Sequence, residues 1–595
     1  MDNPVIDIKT GGRFLVEPIG SKKVFSREFF SEDHRAIQEM IEDFSRDRIL
    51  PNVQNIEKHD KELSHELLKE MGELGLIGTD IPEEYGGTDL DKITAAIIIE
   101  GIAFGGSGSF GTTFSVQTGI GSLPIIWFGT PEQKEKYLPK LVSGEWIGAY
   151  ALTEPSAGSD ALSGKTTAYL SEDKSYYTLN GEKCFCSNGG WADVFIVFAQ
   201  VEGDKFSAFI IDKDTPGLEI GPEEKKLGMK GSSTTSLIFK DAKIPAENLL
   251  HEIGKGSEIA FNALNIGRFK LAAAELGGCK LVIEKSVEYA LERRQFGQPI
   301  AHFDTIKGMV ADMTIRTFAN DSMIYRTIGL IDEAVNALDK TDPDYSTKLG
   351  QAMEKFAVET SMTKNYGSES SAMITDTGLQ IFGGYGFIEE YPLARQYRDN
   401  RIQRIWEGTN EINRMIITGF MMKKALMEEL TLREFMEDLD AFLETEIEDV
   451  IVSTLGYEAK AIEALKRLAA LVFHEALCEY GQDLKHEQQL ANLIADMFTL
   501  IYTAEATVCR VSQTVGSNGQ AAIPIEIAKV FTVETGQEIS TKVKNALNRI
   551  FKGSVPKRIS EVVTKLERSL DRETDIIELK QHIADYVYKE KKYPL

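Results

Sequence analysis

Tyr150-Ala151-Leu152-Thr153-Glu154-Pro155-Ser156-Ala157-Gly158-Ser159-Asp160 stands where the periodicity of this 595-residue chain changes. Upstream, from about Ser31 to Leu141, apolar residues recur at helical spacing, clearest in 61–74 and 92–104. Ser31-Glu32-Asp33 reads as an N-cap opening a helix that runs to about Arg48, and Gly105-Gly106-Ser107-Gly108 interrupts the pattern. Downstream, between roughly 148 and 249, the runs Phe195-Ile196-Val197-Phe198, Ala208-Phe209-Ile210-Ile211 and Ser236-Leu237-Ile238-Phe239 predict strands. Asn180-Gly181, Asn188-Gly189 and Pro216-Gly217 read as the turns between them. Helical spacing returns from Ser257 to about Gly419, as in 270–293 and 306–334, and continues to the C-terminus. The expected class is α+β and mostly α, in four parts: an N-terminal helical domain (1–147), a β-barrel-like middle domain (148–256), a helical bundle (257–425) and a C-terminal helical extension (426–595).

The composition narrows the function. A hydrophobic fraction of 42% and an aromatic fraction of 9% describe an ordinary globular protein rather than a disordered one. The net charge of −26 argues against nucleic acid, which needs a basic face, and against the anionic surface of a membrane. Cys184, Cys186, Cys279, Cys478 and Cys509 show no pairing pattern and fit a reducing compartment. Cys184-Phe185-Cys186 has neither zinc-knuckle nor dithiol spacing, so no metal site is expected. Met1-Asp2-Asn3-Pro4 begins no leader segment, and no run approaches the roughly 18 apolar residues of a membrane span, so a cytoplasmic protein is expected. In the extension, Leu432, Phe435, Met436, Leu439, Phe442 and Leu443 form an apolar stripe backed by Glu434, Glu437, Asp438 and Asp440. It reads as a helix packed on its neighbours. Glu444, Glu446, Glu448 and Asp449 add more acid, and with no basic amphipathic helix membrane association is not expected.

Four segments carry chemistry. In 150–160, small residues and hydroxyls let backbone N–H groups approach a flat or anionic ligand. Nearby Gly164-Lys165-Thr166 mimics the end of a phosphate-binding loop, but its upstream glycine, Gly158, is one residue too far, which excludes an NTPase. Gln380-Ile381-Phe382-Gly383-Gly384-Tyr385-Gly386-Phe387, continuing to Glu390, Arg395 and Asp399, follows a helix over 373–379; a lone Gly-Gly-x-Gly is more often a turn. Ala290-Leu291-Glu292-Arg293-Arg294-Gln295-Phe296-Gly297 puts a basic pair on a helix end, where it could meet a pyrophosphate or simply be solvated. In Arg401-Ile402-Gln403-Arg404-Ile405-Trp406-Glu407-Gly408-Thr409-Asn410-Glu411-Ile412, Glu407 lies between an aromatic residue and a Gly-Thr pair. Burial there would raise its pKa and suit it to removing a weakly acidic proton. On these residues alone, a helix-start Glu serving the first turn's free N–H groups is an equal alternative.

Together the four segments resemble the acyl-CoA dehydrogenase family. The stretches 150–160 and 380–399 match both of its signature patterns, and the domain order matches over about 30–420. The extension, with Asn265-Ile266-Gly267-Arg268-Phe269 and Ser187-Asn188-Gly189-Gly190, resembles the very-long-chain branch. The resemblance implies FAD as cofactor and Glu407 as the base that removes the α-proton of an acyl-CoA thioester. In a minority branch the base precedes the bundle arginine; here that residue is Gly267, so Glu407 keeps the role. Leu152, Thr153 and Ser159 match positions at the flavin and thioester, and Phe185 and Ser187 those beside the isoalloxazine. Arg293, Phe296 and the loop with Gln380, Gly383 and Gly384 match contacts to a neighbouring subunit's FAD; Thr409 matches another flavin contact. Asn265, Arg268 and Gly408, with Ser159, match substrate positions, Arg268 near the CoA moiety. Phe185 replaces the usual Trp, and Asp304 stands where many relatives carry Gln near the adenine.

The implied reaction polarises the thioester carbonyl through the Glu407 N–H and a flavin ribityl hydroxyl. Glu407 takes the α-proton as hydride leaves the β-carbon for flavin N5, giving trans-2-enoyl-CoA. A tunnel helix over 110–121 with Thr112, Ser115, Val116, Gly119 and Gly121 has small, uncharged side chains, which points to long-chain acyl-CoA unless another helix closes the tunnel. The partners implied are an electron-transfer flavoprotein and a second copy of the chain in a homodimer. An acyl-CoA oxidase using O2 and a FAD-bound assembly scaffold are the alternatives.

Overall fold

The computed structural model describes residues 11–342, 345–437, 439, 455–514, 522–571 and 573–595. Helices α1 (Glu32–Phe44), α2 (Lys61–Glu73), α3 (Lys92–Phe104), α4 (Gly108–Thr118) and α5 (Pro131–Val142) form the first layer. Each begins at the residue its sequence supplies as a cap: Ser31, Asp60, Asp91, Ser107 and Thr130 accept first-turn N–H groups. Ser31 completes a capping box with His34. The cap at Ser107 starts α4 at Gly108 and the helix ends at Thr118, so Gly119 and Gly121 fall outside the helix expected over 110–121.

The middle of the chain is a sheet of eight strands among the described residues: β1 (Gly148–Ala151), β2 (Thr167–Leu170), β3 (Tyr176–Ser187), β4 (Val194–Val201), β5 (Lys205–Asp212), β6 (Leu218–Ile220), β7 (Thr234–Pro245) and β8 (Leu249–Leu250). Pairing runs β6-β7-β3-β2-β4-β5-β8, with β1 parallel to β4. Asn180-Gly181 is not a turn. It lies inside β3, where the register against β7 shifts between Leu179 and Gly181 and the strand continues. The expected turns at Asn188-Gly189 and Pro216-Gly217 are present.

The bundle is built on α6 (Gly256–Glu292), roughly 55 Å long at 1.5 Å per residue. Against it pack α7 (Asp304–Asn336) and α8 (Ala357–Phe382), and α8 in turn carries α9 (Pro392–Asn400) and α10 (Asn410–Leu426). Gly277 sets the closest approach, because a Cβ there would lie 2.0 Å from the Glu100 carbonyl oxygen on α3. The extension supplies α11 (Gly456–Tyr480), α12 (Gln488–Thr514), α13 (Ala522–Ile550), α14 (Lys557–Arg568) and α15 (Ile576–Glu590). Leu432–Glu437 is helical, and Leu432 and Leu439 of the apolar stripe are buried. Asp438, Asp440, Phe442, Leu443, Glu444, Glu446, Glu448 and Asp449 lie outside the described residues, as does Met1-Asp2-Asn3-Pro4.

Two apolar cores result: one under the first layer and the sheet, the other joining bundle and extension. The leading segment, residues 11–30, is shared: Phe14, Leu15, Ile19 and Val24 belong to the second core, Phe25 and Phe30 to the first. The Ile19 N–H donates to Glu463 (2.7 Å) and the Val24 N–H to Gln513 (3.0 Å), both on extension helices. All five cysteines are free. Among the described residues no helix is long and apolar enough to cross a membrane.

Candidate active site

The Thr409 hydroxyl caps α10 by accepting the Ile412 N–H at 3.3 Å. Glu407 therefore stands outside the helix, in left-handed backbone (φ +56°), followed by Gly408 at φ +78°. A non-glycine residue in that region costs about 1 kcal/mol or more and persists only where its surroundings enforce it. The helix-start reading of Glu407 thus fails, since Thr409 does the capping. The carboxylate is turned onto α6 at Gly267, where an added Cβ would lie 2.8 Å from Oε2 and 3.1 Å from Oε1. Oε2 is buried without a hydrogen-bond partner. Burial pushes the Glu407 pKa up to about 7, against the opposing pull of Arg268 and Lys364.

Three side chains hold the turn by its backbone. Lys364 Nζ donates to the Gly408 carbonyl (2.9 Å) and to Asn410 Oδ1 (2.6 Å). Asn413 Nδ2 donates to the carbonyls of Gly408 (2.8 Å) and Thr409 (3.1 Å). Arg268 Nη1 donates to Asn265 Oδ1 (2.7 Å), one turn away on α6, while its Nε reaches the Glu407 carbonyl at 3.5 Å. Burial lowers the Arg268 pKa to about 10, opposed by the charge of Glu407. The buried Tyr150 hydroxyl has no partner; burial, then the nearby Glu407 charge, raises its pKa well above the usual range.

The structure brings Glu407, Gly408, Thr409, Asn265 and Arg268 together. Leu152 and Thr153, which follow β1, meet the end of β3 that carries Phe185 and Ser187. Lys183 Nζ donates to the Leu152 carbonyl (3.2 Å), and the Cys184 N–H to that of Thr153 (2.9 Å). A register shift in β3 between Lys183 and Cys186 leaves Phe185 in left-handed backbone (φ +56°) with 65% of its surface exposed. An aromatic ring presented in this way suits a flat ring stacked upon it, and so fits an isoalloxazine. Half-buried Ser187 lies two residues on, and Ser159 is exposed on the 155–160 loop. Gly164-Lys165-Thr166 makes no phosphate cradle, because the N–H groups of Lys165 and Thr166 donate to the Glu154 carboxylate.

Arg293, Gly383 and Gly384 line a separate groove with Tyr289, Phe382 and Tyr385, and no residue of the Glu407 cluster lines it. Arg293 lies over the Tyr385 ring at 5.5 Å. Gln380 and Phe296 are exposed nearby in sequence, Phe296 at φ +51° and 94% exposed. Within one chain the two groups of cofactor candidates stand apart. Asp304 opens α7. None of the roles expected above falls on Lys364, Asn413 or Tyr150. Lys364 had one signal, as a lone cation among small and hydroxyl residues with no acidic residue three or four positions away.

Models of the acyl-CoA dehydrogenase N-terminal domain (31–145), middle domain (149–242) and C-terminal domain (254–422) match the chain, and a second C-terminal-domain model matches 464–568. The chain therefore belongs to the acyl-CoA dehydrogenase family, oxidoreductases that act on a CH–CH bond with FAD. It is 42% identical, over the full length of both chains, to a probable acyl-CoA dehydrogenase of Bacillus subtilis. It is 38% identical over 400 residues to the human mitochondrial very long-chain specific enzyme, covering 65% of this chain and 57% of that one. An acyl-CoA dehydrogenase from Bacillus anthracis, solved with FAD, superposes with a TM-score of 0.94 at 41% identity, covering 98% of this chain and 100% of that one.

Proposed function

We propose that this enzyme dehydrogenates long-chain acyl-CoA to trans-2-enoyl-CoA in fatty acid β-oxidation, as a cytoplasmic homodimer delivering electrons to an electron-transfer flavoprotein. The observation that carries the reaction is the half-buried Glu407, whose Oε2 is buried against Gly267 without a partner and whose pKa is pushed up to about 7. A base of that strength suits a weakly acidic α-C–H once the thioester is polarised and the bound acyl chain excludes water. FAD, when bound, accepts the hydride from the β-carbon. Leu152, Thr153, Ser159, Phe185, Ser187 and Thr409 would hold it. Glu407 takes the α-proton and its N–H polarises the carbonyl; Asn265, Arg268 and Gly408 with Ser159 line the thioester side. Arg293, Phe296, Gln380, Gly383 and Gly384, grouped away from Glu407, would meet the cofactor of the second copy, which supports the dimer. The four-part division at 147, 256 and 425 belongs to the same proposal.

The long-chain reading is supported by α4, where Thr112 and Val116 are uncharged and the Thr112 hydroxyl meets Met229 Sδ at 3.2 Å, a pliable thioether wall. A stopped-flow bleaching series tests it: palmitoyl-CoA should reduce the flavin faster than octanoyl- or butyryl-CoA. A butyryl-CoA optimum would overturn the chain-length reading, and rapid peroxide formation from the reduced enzyme would replace the dehydrogenase by an oxidase. Sedimentation as a tetramer would remove the dimer. Gly267→Ala is expected to cut bleaching by about 10–100-fold, because its methyl group displaces the carboxylate by a fraction of an ångström. Thermal melting should stay level or rise, since Ala is the better helix former by about 0.5–1 kcal/mol. An unimpaired Gly267→Ala enzyme would mean that Glu407 acts from another position.

A further inference from the structure

Lys364 is fully buried on α8 among small and hydroxyl side chains, and two of its three ammonium protons go to the 407–410 turn, at the Gly408 carbonyl (2.9 Å) and Asn410 Oδ1 (2.6 Å). Behind it, two turns along α6 from Arg268, stands Glu275, 3% exposed, and neither of its oxygens has a hydrogen-bond partner. The Glu275 carboxyl fills the notch left by Gly367, three residues beyond Lys364. A Cβ at Gly367 would meet Glu275 Oε2 at 2.5 Å and Asn320 Oδ1 at 3.5 Å. The amide of Asn320 on α7 is likewise buried and unpartnered. An ionised carboxylate cannot persist in such surroundings without a donor, so Glu275 keeps its proton. Burial, with repulsion from Glu369, holds it well above the ordinary carboxylate range, and the attraction of Lys364 does not reverse this.

We propose that Lys364 is a positioning residue for Glu407, clamping the turn by its carbonyls and lending it a buried positive charge, and that Glu275 is kept as a neutral acid so that this charge is not divided between two carboxylates. The inference rests on the dehydrogenase reading, and it explains how a left-handed Glu407 is enforced. The charged groups around Lys364 are Glu275 and Arg268 on α6, Glu407 in the turn, Glu411 on α10 and Glu369 on α8, and Glu407 is also faced by the Tyr150 hydroxyl; Glu369 is already engaged by Arg414 (2.8 Å) and Asn410 Nδ2 (3.0 Å). Beside Glu275 on its own helix lies Cys279, a thiol that burial pushes up to about 12. Burial lowers the Lys364 pKa to about 8, opposed by the surrounding carboxylates; with Glu275 neutral, Glu407 and the two oxygen acceptors in the turn are what hold the ammonium.

The test is the pH profile of flavin bleaching by saturating palmitoyl-CoA, across about pH 5–9, in the FAD-loaded enzyme. Lys364→Met should move the midpoint upward by about one pH unit and lower the plateau about tenfold, leaving KM and FAD content unchanged, because Glu407 loses a stabilising cation. Lys364→Arg should restore the midpoint. Glu275→Gln should leave the midpoint in place and remove one protonated-carboxyl band, read in the wild-type-minus-variant infrared difference spectrum of the FAD-loaded enzyme. A plateau loss with no midpoint shift in Lys364→Met would reduce Lys364 to a structural role, and Lys364→Gln gives the same comparison should the Met variant fail to fold. A midpoint moved by Glu275→Gln, or an unchanged infrared band, would show Glu275 ionised and overturn its part. A wild-type flavin that no acyl-CoA bleaches would instead sink the dehydrogenase reading, while the infrared result would still judge Glu275.

Discussion

Glu407→Gln is expected to lower acyl-CoA-driven flavin bleaching about a thousandfold or more, with FAD content and fold retained. The amide keeps the shape of the side chain, and the groups that hold the turn do so through its backbone: Lys364 and Asn413 on Gly408, Arg268 on Glu407. What is lost is the one acceptor for the α-proton, a carboxylate oxygen that no neighbour already occupies. The wild-type rate should rise with pH through about 7 as Glu407 ionises, whereas the residual rate of the variant should be flat. Stability moves the other way. A carboxyl whose folded pKa is raised from 4.5 to about 7 binds its proton more tightly in the folded state, so its contribution is fully present below pH 4.5 and lost as pH rises through 7. Glu407→Gln should therefore melt above wild type at pH 8 and with it at pH 4. Retention of a tenth or more of wild-type activity would remove Glu407 as the base.

Most of the scaffold around that carboxylate could be read from the sequence because it depends on local rules. The cap at Ser31, the helical spacing over 92–104 and the change of period near 150 specify where helix gives way to sheet whatever packs against them. Asn180-Gly181 misled for an equally physical reason. An Asn-Gly pair favours a turn only if the chain must reverse, and here the length of β7 lets β3 continue past a bulge. The leading segment was illegible, because residues 11–30 carry no period and are held by side chains more than 400 positions away, such as Glu463 and Gln513. The site divides in the same way. Glu407 and Arg268 could be read from motifs, but Lys364 acts on a carbonyl 44 residues distant, and only the packing of α8 beneath the turn shows it.

Arg510→Met is expected to destabilise the protein by about 3 kcal/mol, the low end for breaking a buried ion pair, and to loosen the extension rather than the active site. Arg510 lies on α12, against α7, and is almost wholly buried. Its Nη2 meets Glu28 at 2.8 Å, Nη1 lies 3.6 Å from Asp321 and donates to the Ser322 hydroxyl at 3.3 Å, and the guanidinium covers the Phe318 ring at 4.1 Å. One side chain thus ties the leading segment, the bundle and the extension together. Asp321 is fully buried and also meets Arg27 (3.0 Å) and Lys280 (3.4 Å). Burial alone would raise its pKa, but Arg27, Arg510 and Lys280 together hold it down to about 2. Methionine fills much of the volume but leaves Asp321 short of one cation and Glu28 without its partner. A carboxylate depressed in the folded state contributes stability above its ordinary value of 3.8 and loses that contribution as pH falls toward 2. The gap between Arg510→Met and wild type should therefore be widest near neutrality and narrow below pH 4. Hydrogen exchange should quicken first in α12 and the leading segment, while flavin bleaching at ambient temperature stays near wild type. Asp321→Asn added to Arg510→Met should recover part of the loss, since removing both charges costs less than stranding one. If Arg510→Met melts with wild type, or if the added Asp321→Asn only lowers stability further, the extension is held by its apolar face and not by this charge.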